Sequence, residues 1–488
     1  MIKFRNSSGF HLQLTILLMV AVVFGSVSMH AASTGTTYLV NATAIDPGSG
    51  KVTPNAVIRI EGDRITAVEE GSDELPGKRE DVIDARGKFI LPGYIDAHVH
   101  FFQSGDLYTR PDVVDLNNVR PYKEEVAWIE RHRRDTFERY IQSGITSVID
   151  VGGPMTNFRL RELAMSVEKA PRLAVAGPLI SSVSRPQLAL KGDGPIVKID
   201  TPAQGVQLVQ KLAKQRPDYI KIWYVVGPDN PVEKFRPVVH AVIAESHRLK
   251  LRVAVHATEL ETARAAVAEG ADLLVHSVTD HAVDEQFVTL MRERGTILCP
   301  TLVVFERYGR TFAGKLELTS QERAWGNPEV IASLDVTKLP PDKIPDRIKA
   351  ALADPELVLD RIRKTYEVAL ANLKTLHEAG VIIATGTDAG NIGTIHGPAI
   401  FREFQLMREA GLSPMEILAC TTANGAKAFG GEMGPRLGAI APGKMADLVI
   451  LNSNPLEDIA HASDFQAVMK SGELYPAASL EINPSPER

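Results

Sequence analysis

Cysteine is nearly absent: only Cys299 and Cys420 occur in 488 residues. That scarcity excludes a disulfide-framed fold, and neither residue has metal- or redox-motif spacing. Cys299 sits in an apolar strand-like run and Cys420 in a helical one. An exported chain could join them, but both read as buried thiols. Long basic runs are also missing, and the net charge is −6, so nucleic acid is not an expected partner. The apolar stretch at residues 12–27 falls short of the ~20 residues of a membrane-spanning helix. No internal repeat and no low-complexity linker interrupts the chain.

What remains is ordinary globular composition, 44% apolar and 23% charged, on a chain long enough to bury a sizeable core. Lys3 and Arg5 precede the apolar stretch, and Gly25, Ser26, Ser28, Ala31 and Ala32 follow or close it. A basic start, an apolar run and small residues read as a signal peptide over residues 1–32. The expected destination is the periplasm or the exterior, with no stable membrane span after its removal.

Short β-branched runs come next: "TYLVNATAID", "NAVIRIEGDRITAVEE" and "DVIDARGKFI". The "EGDR" turn predicts a hairpin. From residue 89, apolar strands alternate with helical stretches, which implies a parallel α/β arrangement. The eight candidates are "FILPGYIDAHVHF", "TSVIDVGG", "RLAVAGPLI", "YIKIWYV", "RVAVHAT", "LLVHSV", "TILCPTL" and "IIATGTDAG". Eight such units predict a TIM-like (β/α)8 barrel over 89–436. Strand-like text returns after Gly438, so residues 33–88 and 437–488 together predict a small β-sandwich domain. A long connection follows the seventh strand. Its first part, rich in charge and proline, would either cover the barrel mouth or form a surface excursion.

Active sites of such barrels lie at the C-terminal ends of the strands. There the sequence puts His98 and His100 on strand one, Lys221 on strand four, and His256 and His276 on strands five and six. Asp388 follows strand eight. Alternation sends His98 and His100 to one side, with Asp96 sharing their parity. Two imidazoles one pleat apart can grip a divalent ion; alone, the pair reads equally as two core histidines. Lys221 shares the interior face with Tyr219 and Trp223. A buried ammonium is costly and has the wrong sign beside a metal. Reaction with carbon dioxide would resolve both problems, giving a carbamate able to bridge two ions; pairing with a nearby acid is the alternative. His256 and His276 are what a second ion would need. Asp388, above the small Ala384 and Gly386, could bind metal and accept a proton from the attacking water.

In their order, "GYIDAHVH", "YIKIW", "VAVHATE", "LLVHS" and "ATGTDAGN" resemble the amidohydrolase superfamily, and "LGAIAPGKMADLVILNSNPLEDI" resembles its C-terminal return into a small β domain. "IHGPAIFREFQLMREAGLSPMEIL" is similar to the imidazolonepropionase-related group that includes metal-dependent Xaa-Pro dipeptidases. The resemblance implies a site of two divalent ions, zinc by default. His98 and His100 would hold one ion with Asp388. His256 and His276 would hold the other. Carboxylated Lys221 would bridge them, with a shared hydroxide and Asp388 as proton shuttle. It implies a hydrolase of an amide or peptide-like C–N bond, with dipeptides or N-acyl amino acids as substrates.

Asp96 is placed beside a ligand histidine, which it would steady, or serves as a structural acid. His396 and Arg185 are candidate substrate contacts. Tyr224 has the wrong parity and is left out. Two other functions remain to be weighed. A deaminase of heterocyclic amines, using one ion, would employ Glu259 of the His256-Ala-Thr-Glu259 spacing; Glu259 equally suits the start of a helix. A non-catalytic binding or structural homologue should have lost ligands, and none of the six is missing. The partner is therefore a small-molecule substrate, and a homo-oligomer is compatible with the sequence.

Overall fold

The structure, a computed structural model, describes residues 35–71 and 82–482. The expected signal segment lies outside the described residues. Among the described residues no helix is long and apolar enough to cross a membrane.

The first strands are Thr36–Asp46 (β1), Lys51–Glu61 (β2), Arg64–Glu70 (β3), Val82–Asp84 (β4) and Phe89–Pro92 (β5). β2 and β3 form the antiparallel hairpin that "EGDR" predicted, with Gly62 at φ 58° in its turn. The next strands are Tyr94–Val99 (β6), Ile145–Asp150 (β7), Arg172–Val175 (β8), Leu179–Ser181 (β9), Ile196–Lys198 (β10) and Tyr219–Trp223 (β11). Arg252–His256 (β12), Leu273–Val275 (β13), Ile297–Cys299 (β14), Leu448–Leu451 (β15), Phe465–Lys470 (β16) and Glu473–Pro476 (β17) complete the set.

Strands from residues 36–92 and 448–476 share one sheet. Its strands run in the order β17-β16-β15-β5-β1-β2-β3, with β4 also on β1. Where a sandwich was expected, one unbroken run of pairings joins all eight strands. Leu39, Ile58, Ile65, Ile90, Leu448 and Met469 form the apolar core of this sheet.

The remaining strands are parallel, in two sheets: β6-β7-β8 and β10-β9-β11-β12-β13-β14. No single closed ladder forms, for two local reasons. The expected third strand is split, because Gly177 and Pro178 separate β8 from β9 and proline cannot donate to a ladder. The expected eighth strand makes no ladder at all. Instead its residues hydrogen-bond one by one to both neighbours. Leu298 N donates to Ile382 O at 2.9 Å and Ala384 N to Leu298 O at 2.8 Å. On the other side Ala97 N donates to Thr385 O and Asp388 N to His98 O, each at 2.8 Å. A bridge between Ala176 and Tyr219 links β8 to β11. Interstrand contacts therefore pass through all eight expected staves in chain order.

Alternate stave residues, among them Ile95, Ile149, Tyr219, Ala254, Leu273 and Ile297, share one apolar cluster. The other faces pack on the helices in a larger one. Gly386 belongs to this interior: a Cβ there would sit 2.3 Å from Cys299 Sγ. Cys299 and Cys420 are both buried and unbridged.

Candidate metal centre

The C-terminal ends of the staves bring the six expected ligands together. His98 Nε2, His100 Nε2 and Asp388 Oδ1 form a triangle with all three edges 3.3 Å. Ligands held about 2.0–2.1 Å from a tetrahedral ion lie about 3.3–3.4 Å from each other. The triangle therefore fits one face of a divalent-ion site. His98, His276 and Asp388 also offer ligand atoms that all lie within 4.8 Å of one another. The His256 ring meets the His276 ring edge-on, centroids 4.4 Å apart. Lys221 is 2% exposed, and its Nζ has no hydrogen-bond partner. Burial lowers its pKa to about 7. Burial also drops His98, His256 and His276 well below the ordinary range, and His100 to about 3. Neutral imidazoles are what metal binding requires.

The backbone aims these groups by breaking strand alternation. Ala97 belongs to the interior cluster, yet its neighbour His98 also faces the centre. The register slips between Asp96 and Val99 on the β7 side, which permits both. Val275 is interior as well, and φ 79° at His276 turns that next residue back inward. Asp388 has φ 59° and Thr301 φ 45°. Non-glycine residues at positive φ are costly and cluster at functional sites.

Hydrogen bonds lock the rings. The Gly152 carbonyl accepts from His100 Nδ1 at 2.8 Å, which leaves His100 Nε2 bare for an ion. Asp150, at the end of β7, accepts from Gly152 N and Phe101 N and so fixes that carbonyl. Thr301 Oγ1 lies 2.6 Å from His276 Nδ1. Glu403, buried in helix Ala399–Glu409, accepts from Leu302 N and Val303 N, anchoring the chain just past Thr301. None of Asp150, Thr301 or Glu403 was identified from sequence. A carboxylate closing "SVID", and another between the two phenylalanines of "IFREF", were the available signals.

Asp96 supports the backbone rather than a ring. It accepts from His98 N at 3.2 Å, Thr387 N at 3.0 Å and Thr387 Oγ1 at 2.7 Å, tying strand one to the Asp388 turn. His396 is not delivered to the open site. Its nitrogens engage Tyr140 Oη and Gln103 O, both at 2.8 Å, and its ring stacks on Phe101. Arg185 lies over the outer face of the site at Trp223, 5.2 Å from the ring, and 3.6 Å from Asp112. Glu259 turns onto its own helix, bonding Thr258 Oγ1 and Thr262 Oγ1. Tyr224 is buried and donates to Val232 O.

A cavity of about 400 Å³ opens over Lys221, His100, His256, His276 and Asp388. Phe102, Leu179, Leu188 and Trp223 give it apolar walls. The long connection after β14 does reach this mouth, supplying Val304, Phe305, Tyr308 and Arg347. Arg110 and Asn391 complete a polar corner that the sequence did not reveal. Arg110 Nη1 donates to Asn391 Oδ1 at 2.7 Å and to Tyr308 Oη at 3.1 Å. Asn391 Nδ2 donates to the Asp388 carbonyl at 3.1 Å, bracing that strained turn.

Comparison with known proteins places this arrangement among relatives. The sequence profile described as "Amidohydrolase family" matches residues 89–475. The chain is 26% identical to an ochratoxinase of Aspergillus niger over 472 residues, covering 91% of this chain and 87% of the relative. It is 27% identical to an imidazolonepropionase of Rubrobacter xylanophilus over 457 residues, covering 88% and 93%. Among solved structures, a Xaa-Pro dipeptidase with methionine bound in its active site superposes with a TM-score of 0.68. That match has 25% identity and spans 91% of this chain and 100% of the other.

Proposed function

The chain belongs to the amidohydrolase family and is a hydrolase of carbon–nitrogen bonds; from that premise we propose that it cleaves amide bonds of dipeptides or N-acyl amino acids at a two-ion centre. The ring of eight staves is read as a (β/α)8 barrel carrying that centre. His98, His100 and Asp388 would hold one ion and His256 and His276 the other, with carboxylated Lys221 between them. Relatives named as a dipeptidase and an ochratoxinase support small amide-bearing substrates. The basic-then-apolar pattern of residues 1–32 supports export.

Lys221 carries the two-ion reading. Its buried, unpartnered amine sits among four imidazoles and a carboxylate, where no acid forms an ion pair with it among the described residues. A carbamate there would supply the missing negative charge and two ligand oxygens. Zinc ions, when bound, would polarise the scissile carbonyl and acidify the water beside it. A carboxylate oxygen of Asp388 then takes the water proton as the oxygen adds to the carbonyl carbon. The C–N bond breaks, and Asp388 passes the proton to the departing amine nitrogen. The apolar walls exclude bulk water from this step.

The test is metal analysis of the full chain together with a structure of the zinc-loaded protein. Two ions per chain and a carbon dioxide adduct on Lys221 are expected. One ion beside a free amine would sink the two-ion reading. Failure to hydrolyse any member of a dipeptide and N-acyl amino acid panel would sink the substrate reading.

A further inference from the structure

Positive charge gathers at the cavity mouth beyond anything the reaction at the metal centre uses. Arg110, Arg185 and Arg347 come from three separate segments and meet at one turn, residues 110–113. Arg110 grips the Asp112 carboxylate through Nε at 2.7 Å and Nη2 at 2.8 Å. Arg185 Nε approaches the same carboxylate at 3.6 Å. Arg347, in helix Asp346–Ala353, donates from Nη1 to the Val113 carbonyl at 3.3 Å and lies over the Phe312 ring at 5.4 Å. The Asp112 side chain is 1% exposed, so two guanidiniums, of Arg110 and Arg185, share one buried carboxylate, while Arg347 meets the same turn only through a backbone carbonyl. Among the residues lining the cavity the sole acid is Asp388, which is committed to the ion site. Arg347 is exposed, lines the cavity, and forms no ion pair with a carboxylate among the described residues.

A cationic rim above apolar walls selects a ligand that is apolar with one anionic end. Guanidinium and carboxylate match as planar, charge-assisted hydrogen-bonding partners. In a dipeptide or N-acyl amino acid, the free carboxylate belongs to the half that departs as the amine. We propose that Arg347, backed by Arg110, forms a carboxylate subsite at the mouth, so that the substrate's leaving half is an apolar or aromatic amino acid with a free carboxylate. Its side chain packs against Phe102, Phe305 and Trp223. Arg185 does not line the cavity; it balances Asp112 behind Trp223. The long connection after β14 thereby acts as a specificity element, because it carries Arg347, Phe305 and Tyr308.

This inference rests on the amide-hydrolase reading, and a non-hydrolysable probe separates the two. Hydrocinnamate and its carboxamide are titrated calorimetrically into the zinc-loaded full chain. The acid is expected to bind about tenfold tighter than the amide or better, and Arg347→Gln to bring that ratio to about one. Equal binding of acid and amide by the unmodified protein overturns the subsite. So does a preference that survives Arg347→Gln, which would place the carboxylate on the metals. Hydrolysis of N-acetylphenylalanine is measured separately: its absence counts against the amide-hydrolase reading and leaves the binding result intact.

Discussion

The eight-stranded sheet and the C-terminal ends of the staves treat buried polar groups in opposite ways. At the sheet, Arg172 of β8 pairs with Asp447, which also accepts the Ser471 amide at 2.7 Å. Within the sheet's described strands, Asp46 Oδ1 is the one buried side-chain atom without a partner. At the stave ends, Lys221 Nζ, His98 Nδ1 and Asp388 Oδ1 are all buried without a hydrogen-bond partner, within one small volume. Positive φ at His276, Thr301 and Asp388 adds backbone strain there. Folding alone favours the first arrangement, since an unmet buried polar group costs about 1–3 kcal/mol. The second is explicable where a ligand completes the set, and where function outweighs local stability.

Two substitutions should separate these regions most sharply. Lys221→Met keeps the volume and removes the orphaned amine. It should lower kcat/KM toward N-acetylphenylalanine by on the order of a thousandfold or more. In denaturant titrations the same variant, stripped of metal, should be about 1 kcal/mol more stable than the parent. Activity retained within tenfold would remove Lys221 from the site. Asp447→Ala should do the reverse: about 3 kcal/mol of stability lost, because the Arg172 charge is left unpaired. Its kcat/KM should stay near the parent value at temperatures where it is folded. If both variants lose stability and activity together, the contrast between the regions fails.

The sequence made the ligands legible for a physical reason. Each is a polar residue inside or at the end of an apolar run, where burial leaves it few alternatives. His98, His100, Lys221, His256, His276 and Asp388 all meet at the structure's cavity or on its floor. The staves were legible through their apolar periodicity, but their closure was not. Whether "RLAVAGPLI" remains one strand depends on Gly177 and Pro178, and "IIATGTDAG" meets its neighbours through single hydrogen bonds that periodicity does not distinguish from a ladder. Arg110, Tyr308 and Asn391 gave no signal, because they become one cluster only when three distant segments meet. His396 misled because proximity to Asp388 in sequence does not aim a side chain. Its ring is instead consumed by Tyr140 and Gln103.

Glu403 offers a subtler probe of the stave ends. Burial raises its pKa to about 8, whereas an unfolded glutamate titrates near ~4.3. Between those values the folded chain keeps a proton that the unfolded chain has released. Stability should therefore fall as pH rises through that window, by at most about 1.4 kcal/mol per pH unit from this group, and flatten above it. Urea titrations from about pH 5 to about pH 8 should show a shallower slope for Glu403→Gln than for the parent. Parallel slopes would mean that Glu403 is ionised throughout, held by the Leu302 and Val303 amides.

Glu259 should give the smallest effect, and its smallness is informative. Its spacing from His256 is that of a proton-shuttling glutamate in a deaminase. In the folded chain its carboxylate is occupied by Thr258 Oγ1 at 3.0 Å and Thr262 Oγ1 at 2.9 Å. It opens helix Leu260–Glu269 and is not among the residues lining the cavity. Glu259→Gln preserves the shape, and its amide oxygen can accept from one threonine hydroxyl while its NH2 donates to the other. Its kcat/KM on an amide substrate should stay within about twofold of the parent, and its stability within about 0.5 kcal/mol. Loss of a general acid–base group typically costs a hundredfold or more, on the order of 10²–10⁴. A drop of that size with the metal content unchanged would mean that Glu259 swings into the cavity when substrate binds, and the case for deamination would reopen.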